Sequence, residues 1–486
     1  MYRSALVKCI LVLFCVACAQ PPPGRKLASG LARGLIARDG AVAFLLDASR
    51  PDDPGVPDDL LAGDLWLDDR KVGSGVSMQE GAYAISPRGG ELAFLARWRF
   101  RDGEGELWVA SLGGAPRQVA KAARAFAWSP RGELAFVGRD LLGFGERTVA
   151  LSGVQGVAWS PDGSRIAARA SAAAGGTLWA IDPQSGSARE MAIATSDFAF
   201  APDGALAALG APPPKGGDRP LLIDGVRVAT ATAFAFSPDG RELALLSTGK
   251  QPGEATGDLY RLARPSGAPR LVASRVADWR WGAAGDLLCL ARYDVRARAG
   301  TLTAAAPGGA AAEVAGKVQS FSVSGRRVLY LVQAPQKGDF KLELWGVDLS
   351  TSRLEPRRFD EGVYGWTLSP DGATLYYKAR CAGGPRSCSL LRAPFAGGAP
   401  EVLAADVSGF DLSRDGKRIL LQQPHRGSAR AVDLAVISAA GAAPGRVKPL
   451  VEEVDPSSRF ADEAGRRVVY AVVTAGKGGV FLAEVP

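Results

Sequence analysis

The chain has a single histidine in 486 residues. His425 lies in Gln423-Pro424-His425-Arg426-Gly427 after an apolar strand and reads as a surface loop residue. That is too little material for a hydrolase triad or a multi-histidine metal site. Also missing are the Gly-x-Ser-x-Gly nucleophile elbow and the Gly-x-x-x-x-Gly-Lys phosphate loop. No basic run is interleaved with aromatics; Arg296, Arg298 and Arg357-Arg358 are the densest positive spots, so nucleic acid is not an expected partner. No long stretch past the N-terminus has helical apolar periodicity, which excludes a helical bundle. Asp47, Asp52, Asp53, Asp58, Asp59 and Asp64 crowd one loop. Oxygen ligands at that density suit calcium, but prolines separate them and the spacing is not that of an EF-hand, so the loop reads as a solvated one. No cofactor or metal is expected.

Cysteine is scarce too, six in all, and three of them fall within the first 18 residues. Arg3 and Lys8 precede an apolar core, Cys9–Ala17, too short to span a bilayer. Cys15-Val16-Ala17-Cys18 resembles a bacterial lipobox, although position 15 is not the usual Leu. The resemblance implies that residues 1–17 are a lipoprotein signal peptide and that Cys18 is acylated. Residues 18–25 then form a tether, and the expected location is the bacterial cell envelope, as an outer-membrane lipoprotein facing the periplasm or the surface. Residue 19 is not Asp, which by the same resemblance argues against retention in the inner membrane. Ala17-Cys18-Ala19 also fits an ordinary cleavage site that releases a soluble periplasmic protein. Cys381 and Cys388 bracket a Gly-Gly-Pro loop between two apolar stretches; in an oxidising compartment that spacing points to a disulfide, with two free thiols as the alternative. Cys289, in Leu287-Leu288-Cys289-Leu290, reads as a buried small hydrophobe. Removing residues 1–17 lowers the formal charge from +8 to +6, borne by scattered arginines that read as a solvated surface.

What the chain has in abundance is turns, with 60 Gly and 32 Pro. A tetrapeptide recurs as Ser160-Pro161-Asp162-Gly163, Ser237-Pro238-Asp239-Gly240 and Ser369-Pro370-Asp371-Gly372. Looser copies start at Ser86, Ser129, Ala201 and Ser413, and degenerate ones end at Gly40, Gly285, Gly325 and Gly465. Pro presets the first corner, Asp suits the second, and Gly takes the left-handed position that follows. Each copy, flanked by apolar runs such as Ala233–Phe236, predicts an antiparallel hairpin. A second element, Leu65-Trp66, Leu107-Trp108, Leu178-Trp179, Leu344-Trp345 or Leu259-Tyr260, begins a third strand, and its aromatic is read as a wedge between sheets.

The eleven turn glycines recur on average about every 42 residues, the length of one four-stranded propeller blade (~40–45). The fold class is therefore all-β, a β-propeller of about eleven four-stranded repeats over residues 26–486. Rings of about 4–8 blades are usual, so two rings are favoured, with a boundary somewhere in 211–316. The last repeat lacks an outer strand. The stretch Lys26–Arg38 holds two candidate strands, around Leu27–Leu31 and Leu35–Ala37, that together with it form one mixed blade tying the termini.

Ser160 to Ala167, followed by Gly176-Thr177-Leu178-Trp179-Ala180-Ile181-Asp182, resembles the propeller repeat of the TolB-like family. The same WD-like repeat occurs in tricorn and prolyl-oligopeptidase-type proteases. The resemblance covers nearly all of residues 30–486 and implies the fold. The small α/β domain of TolB and the catalytic domains of the proteases are not found, so no catalytic residue carries over. A propeller with nothing attached implies, by analogy, a non-enzymatic scaffold that binds protein or peptide partners in the envelope, touching the membrane only through its lipid. The alternative is a propeller enzyme, hydrolysing a glycan or lactone, with acids or a metal at the channel mouth.

Overall fold

The computed structural model describes residues 23–485 apart from 31, 50–60, 171–175, 196, 215, 249–255, 265–266, 334–341, 352, 383, 429, 442–446 and 473–477. Cys18, Asp52, Asp53, Asp58 and Asp59 lie outside the described residues. Every regular element among the described residues is a β-strand. The strands group into antiparallel four-stranded sheets in chain order, here called blades 1 to 11. Blades 1 to 6 cover residues 32–77, 83–123, 125–150, 154–195, 198–231 and 233–276. Blades 7 to 10 cover 278–318, 318–361, 366–407 and 409–454. Blades 7 and 8 share the strand Ala311–Ser324, outermost in one and innermost in the other. The strand Ala299–Ala305 and the start of Ala311–Ser324 thus lie inside the window in which the sequence reading places a boundary between rings.

Blade 11 joins the two ends of the chain. Its strands run Arg459–Phe460, Arg467–Val472 and Gly479–Glu484, and its outer strand is the N-terminal Arg25–Ser29. Arg25 faces Leu482 and Ser29 faces Gly479. The expected closure through the N-terminus is thus present. The second candidate strand belongs elsewhere, because Ala32–Arg38 opens blade 1.

The turns explain why the repeat is so regular. In each full copy the Ser hydroxyl donates to the Asp carboxylate, at 2.6 Å for Ser160, 2.7 Å for Ser237 and 2.5 Å for Ser369. The Asp then accepts the backbone N–H two residues on, and the Ser oxygen accepts the N–H five residues on; Arg165 N–H donates to Ser160 Oγ at 2.9 Å. All eleven turn glycines sit at positive φ, which only Gly adopts without strain. Ser129, Ser160, Ser237 and Ser413 are buried, so an apolar residue there leaves backbone donors unpaired.

Neighbouring blades share one hydrophobic cluster each. The Leu-Trp pairs stitch them because consecutive strand residues point to opposite faces. Leu107 packs forward against blade 3 while Trp108 packs back on blade 1, and Leu344 and Trp345 do the same from blade 8. Arginines add polar ties: Arg327 donates to Asp371 O at 2.8 Å, Arg357 to Pro394 O at 2.9 Å and Arg418 to Ala464 O at 3.1 Å. Many of the scattered positive residues therefore join blades and are not mere surface decoration.

The clusters follow one another around the whole chain, from blades 1–2 through 10–11 and back from blade 11 to blade 1. Among the described residues of 211–316 no break falls; Leu221 and Leu245, then Leu259 and Cys289, continue the series there. Among the described residues the contacts trace one circuit of eleven blades, not the two rings that the sequence favoured.

Candidate functional site

The first strand of each blade lies innermost. Indole N–H groups link these strands directly: Trp128 donates to Ala84 O at 3.1 Å, Trp159 to Ala127 O at 3.1 Å and Trp281 to Ala235 O at 3.2 Å. Trp366 donates to the Ser322 hydroxyl at 3.1 Å. Two residues before each turn, blades 2 to 6 place Ala84, Ala127, Ala158, Ala199 and Ala235. Blades 7 to 11 place Arg280, Ser322, Thr367, Asp411 and Arg459 at the corresponding position. One half of the inner wall is thus small and apolar at this position, and the other is polar.

Two cavities open on the polar half. The first, about 190 Å³, lies at the turn end of the inner strands of blades 10, 11 and 1. Four carboxylates line it, Asp39, Asp411, Asp462 and Glu463, together with Arg38, Arg414 and Phe460. Arg414 pairs with Glu463 at 2.5 Å and Arg38 with Asp39 at 3.6 Å. Asp462 accepts Arg466 N at 2.8 Å and pairs with Arg467 at 3.3 Å. Asp411 has no such partner close by; its side chain meets solvent, yet the surrounding walls desolvate it and raise its carboxyl above the usual range, against the weaker pull of Leu412 N–H and Arg459.

The second cavity, about 350 Å³, lies between the inner strands of blades 9 and 10. It shares Asp411 and Leu412 with the first and adds Tyr364, Trp366, Thr367, Lys378 and Phe410. Lys378 is only 9% exposed; its ammonium donates to Ser408 O and Pro385 O, and burial lowers its pKa. A larger cavity, about 640 Å³, sits between blades 9 and 10 nearer the rim. Its Arg392 is engaged by Glu401 at 2.7 Å and by Ala439 O, and its Tyr376 hydroxyl also faces Ala439 O, so few polar groups there await a ligand.

The residues singled out from sequence fall apart in space. Pro161, Asp162, Gly163, Pro238, Asp239, Gly240, Pro370, Asp371 and Gly372 form three separate turns, and the carboxyls of Asp162, Asp239 and Asp371 are held low chiefly by their Ser hydroxyls, Asp162 to about 2. Cys381 and Cys388 are joined by a disulfide. Cys289 is buried against Thr303, and burial pushes its thiol to about 11. Asp64 pairs with Lys71 at 2.6 Å. His425 is no free surface residue: its Nδ1 lies 2.7 Å from Asp433 Oδ1, and the Asp433 side chain is 6% exposed. His425 lines neither inner cavity. No group of three or more His, Cys, Asp or Glu among the described residues is placed to hold a metal. Sequence reasoning missed Asp411 and Lys378 because a lone charge in a strand reads as a solvent-facing one. The signal was positional: Asp411 stands where blades 2 to 6 carry Ala.

The fold is a β-propeller, with an acidic cavity where the turns of blades 10, 11 and 1 meet. No family profile and no curated protein matches the chain. Among solved structures it is similar to a eukaryotic initiation factor, at 15% identity and TM-score 0.43, covering 78% of this chain and 89% of that one. An oligogalacturonate lyase in complex with manganese matches at 12% identity and TM-score 0.32, covering 74% and 96%. A puromycin hydrolase matches at 16% and 0.28, covering 62% and 59%. The likeness is one of fold alone. Two of the three are enzymes by name, and the expectation that this chain is not an enzyme does not stand, because it rested only on missing motifs. The missing elbow and phosphate loop exclude two chemistries, not catalysis on a propeller.

Proposed function

We propose that the chain is a propeller hydrolase acting on a glycan or a lactone, with acid–base chemistry carried by the carboxylates at the channel mouth. The supporting observation is the divided environment of those carboxylates: Asp411 is biased by its walls towards holding a proton, while Glu463 and Asp462 face Arg414 and Arg467. Groups set apart in this way divide the acid and base roles of a hydrolysis. Asp411 then protonates the leaving oxygen, and Glu463 or Asp462 takes the proton of the attacking water. The test is turnover on a panel of aryl glycosides and lactones by the wild type, Asp411→Asn and Glu463→Gln. At least one substrate is expected to be cleaved, with Asp411→Asn slower by roughly 10²–10⁴-fold. A wild type that cleaves none, or an Asp411→Asn variant of undiminished rate, sinks the reading.

The location proposed is the bacterial envelope, with the chain held by an acylated Cys18. The disulfide supports an oxidising compartment. The intact mass of the mature protein decides it; an unmodified N-terminus at Gln20 refutes acylation. A second reading concerns partners. Val226 and Leu271 stand 66% and 57% exposed on the outer strands of neighbouring blades 5 and 6, which favours a protein or peptide partner at that rim. Replacing both by Ser removes capture of envelope partners on this reading, and undiminished capture counts against it.

A further inference from the structure

The aromatic chamber beside the acidic cavity has a composition that the hydrolase reading does not yet use. Its volume, about 350 Å³, falls within the ~300–1,000 Å³ of small-molecule sites. Tyr364 is 47% exposed there, and Trp366 and Phe410 are half-buried. The Trp366 N–H is already engaged by Ser322, so the indole offers a ligand its ring and no donor. Lys378 turns its ammonium to two carbonyls and lends the chamber mainly its apolar stem. The Thr367 hydroxyl makes only a 3.5 Å contact to Leu368 O, which leaves it able to bond a ligand. What remains is a set of flat apolar surfaces, the hydroxyls of Thr367 and Tyr364 and, at the shared boundary, the Asp411 carboxyl.

We infer that this chamber seats a sugar ring of an oligosaccharide whose chain continues past Asp411 into the acidic cavity. A pyranose presents apolar C–H faces and a rim of hydroxyls, the complement of aromatic planes bordered by Thr367 and a carboxyl. A small anion meets no unengaged cation in the chamber, and a lactone is too small to use both cavities. The polar positions Ser322, Thr367, Asp411 and Arg459 succeed one another across blades 8 to 11. A track over four blades fits a chain better than a single ring. The inference rests on the hydrolase reading and narrows it to glycans.

The test is calorimetric titration of the Glu463→Gln variant of the full chain with linear cello-, malto-, chito- and galacturono-oligosaccharides of one to four units. One series is expected to bind, more tightly as it lengthens. In the same background Tyr364→Ala weakens that binding about tenfold, the effect of removing one aromatic plane, while Tyr364→Phe keeps it. Tyr364 is exposed, so its truncation leaves the core intact. Failure of every series at millimolar concentration overturns the inference, and so does equal affinity in Tyr364→Ala. Lactone hydrolysis without sugar binding sinks the inference and leaves the hydrolase reading. Sugar binding by Glu463→Gln without hydrolysis by the wild type does the reverse.

Discussion

Asp162 shows how one residue holds a turn. Its carboxylate accepts from the Ser160 hydroxyl and from Ser164 N, and these bonds hold it at about 2. A carboxyl lowered on folding stabilises the protein above its unfolded value of ~3.9, and that contribution is lost as pH falls through about 2. Because the group is exposed, Asp162→Asn is expected to cost only about 0.5–1 kcal/mol at neutral pH. Urea denaturation at pH 7 and pH 2 checks both parts: the difference between variant and wild type should shrink at pH 2. Such turn residues were legible in the sequence because Ser, Pro, Asp and Gly each have one local job. Asp411 was not, since its raised carboxyl comes from walls that other blades supply.

The strand Arg25–Ser29 is the element on which the closure of blade 11 depends. Leu27 and Ala28 are buried in the cluster shared by blades 11 and 1, and the Tyr470 hydroxyl donates to Pro23 O. Leu27→Ala is expected to cost about 2–5 kcal/mol, and deletion of residues 25–29 to lower the melting temperature more than that. A deletion variant that melts with the wild type would falsify the closing role. Cys381–Cys388 acts on a smaller scale: cutting it by Cys381→Ser should lower stability by about 1–3 kcal/mol, read as a shift in denaturation midpoint that reducing agent reproduces in the wild type. Strand identity and the Leu-Trp wedge were readable from the recurring turns, the apolar runs beside them and the repeated Leu-Trp pair. The partner of each strand at the chain's ends was only partly so: Ala32–Arg38 had been grouped with its predecessor, although Gly30 turns the chain at φ 127° just before it.

For the whole molecule the repeat told how many sheets there are but not how they close. Closure depends on the wedge angle between neighbouring blades, which small packing differences set and no motif encodes. The eleven shared clusters make each blade the support of two others, 211–316 included. Limited proteolysis within that window is therefore expected to leave two fragments that stay associated through gel filtration and melt together. Two fragments that separate and melt independently would restore the pair of rings. The channel-mouth cavity belongs to this scale as well, since blades 10, 11 and 1 meet there only when the circuit is complete.

The outer strand of blade 11 is made first and used last. Arg25–Ser29 leaves the ribosome more than four hundred residues ahead of Gly479–Glu484, its only pairing partner among the described strands. Throughout synthesis that segment must wait unpaired, its edge available to any passing strand, a known hazard for long nascent chains. A chain that stops before residue 479 leaves Arg25–Ser29 without its partner, and blade 11, which lines the acidic cavity, unfinished.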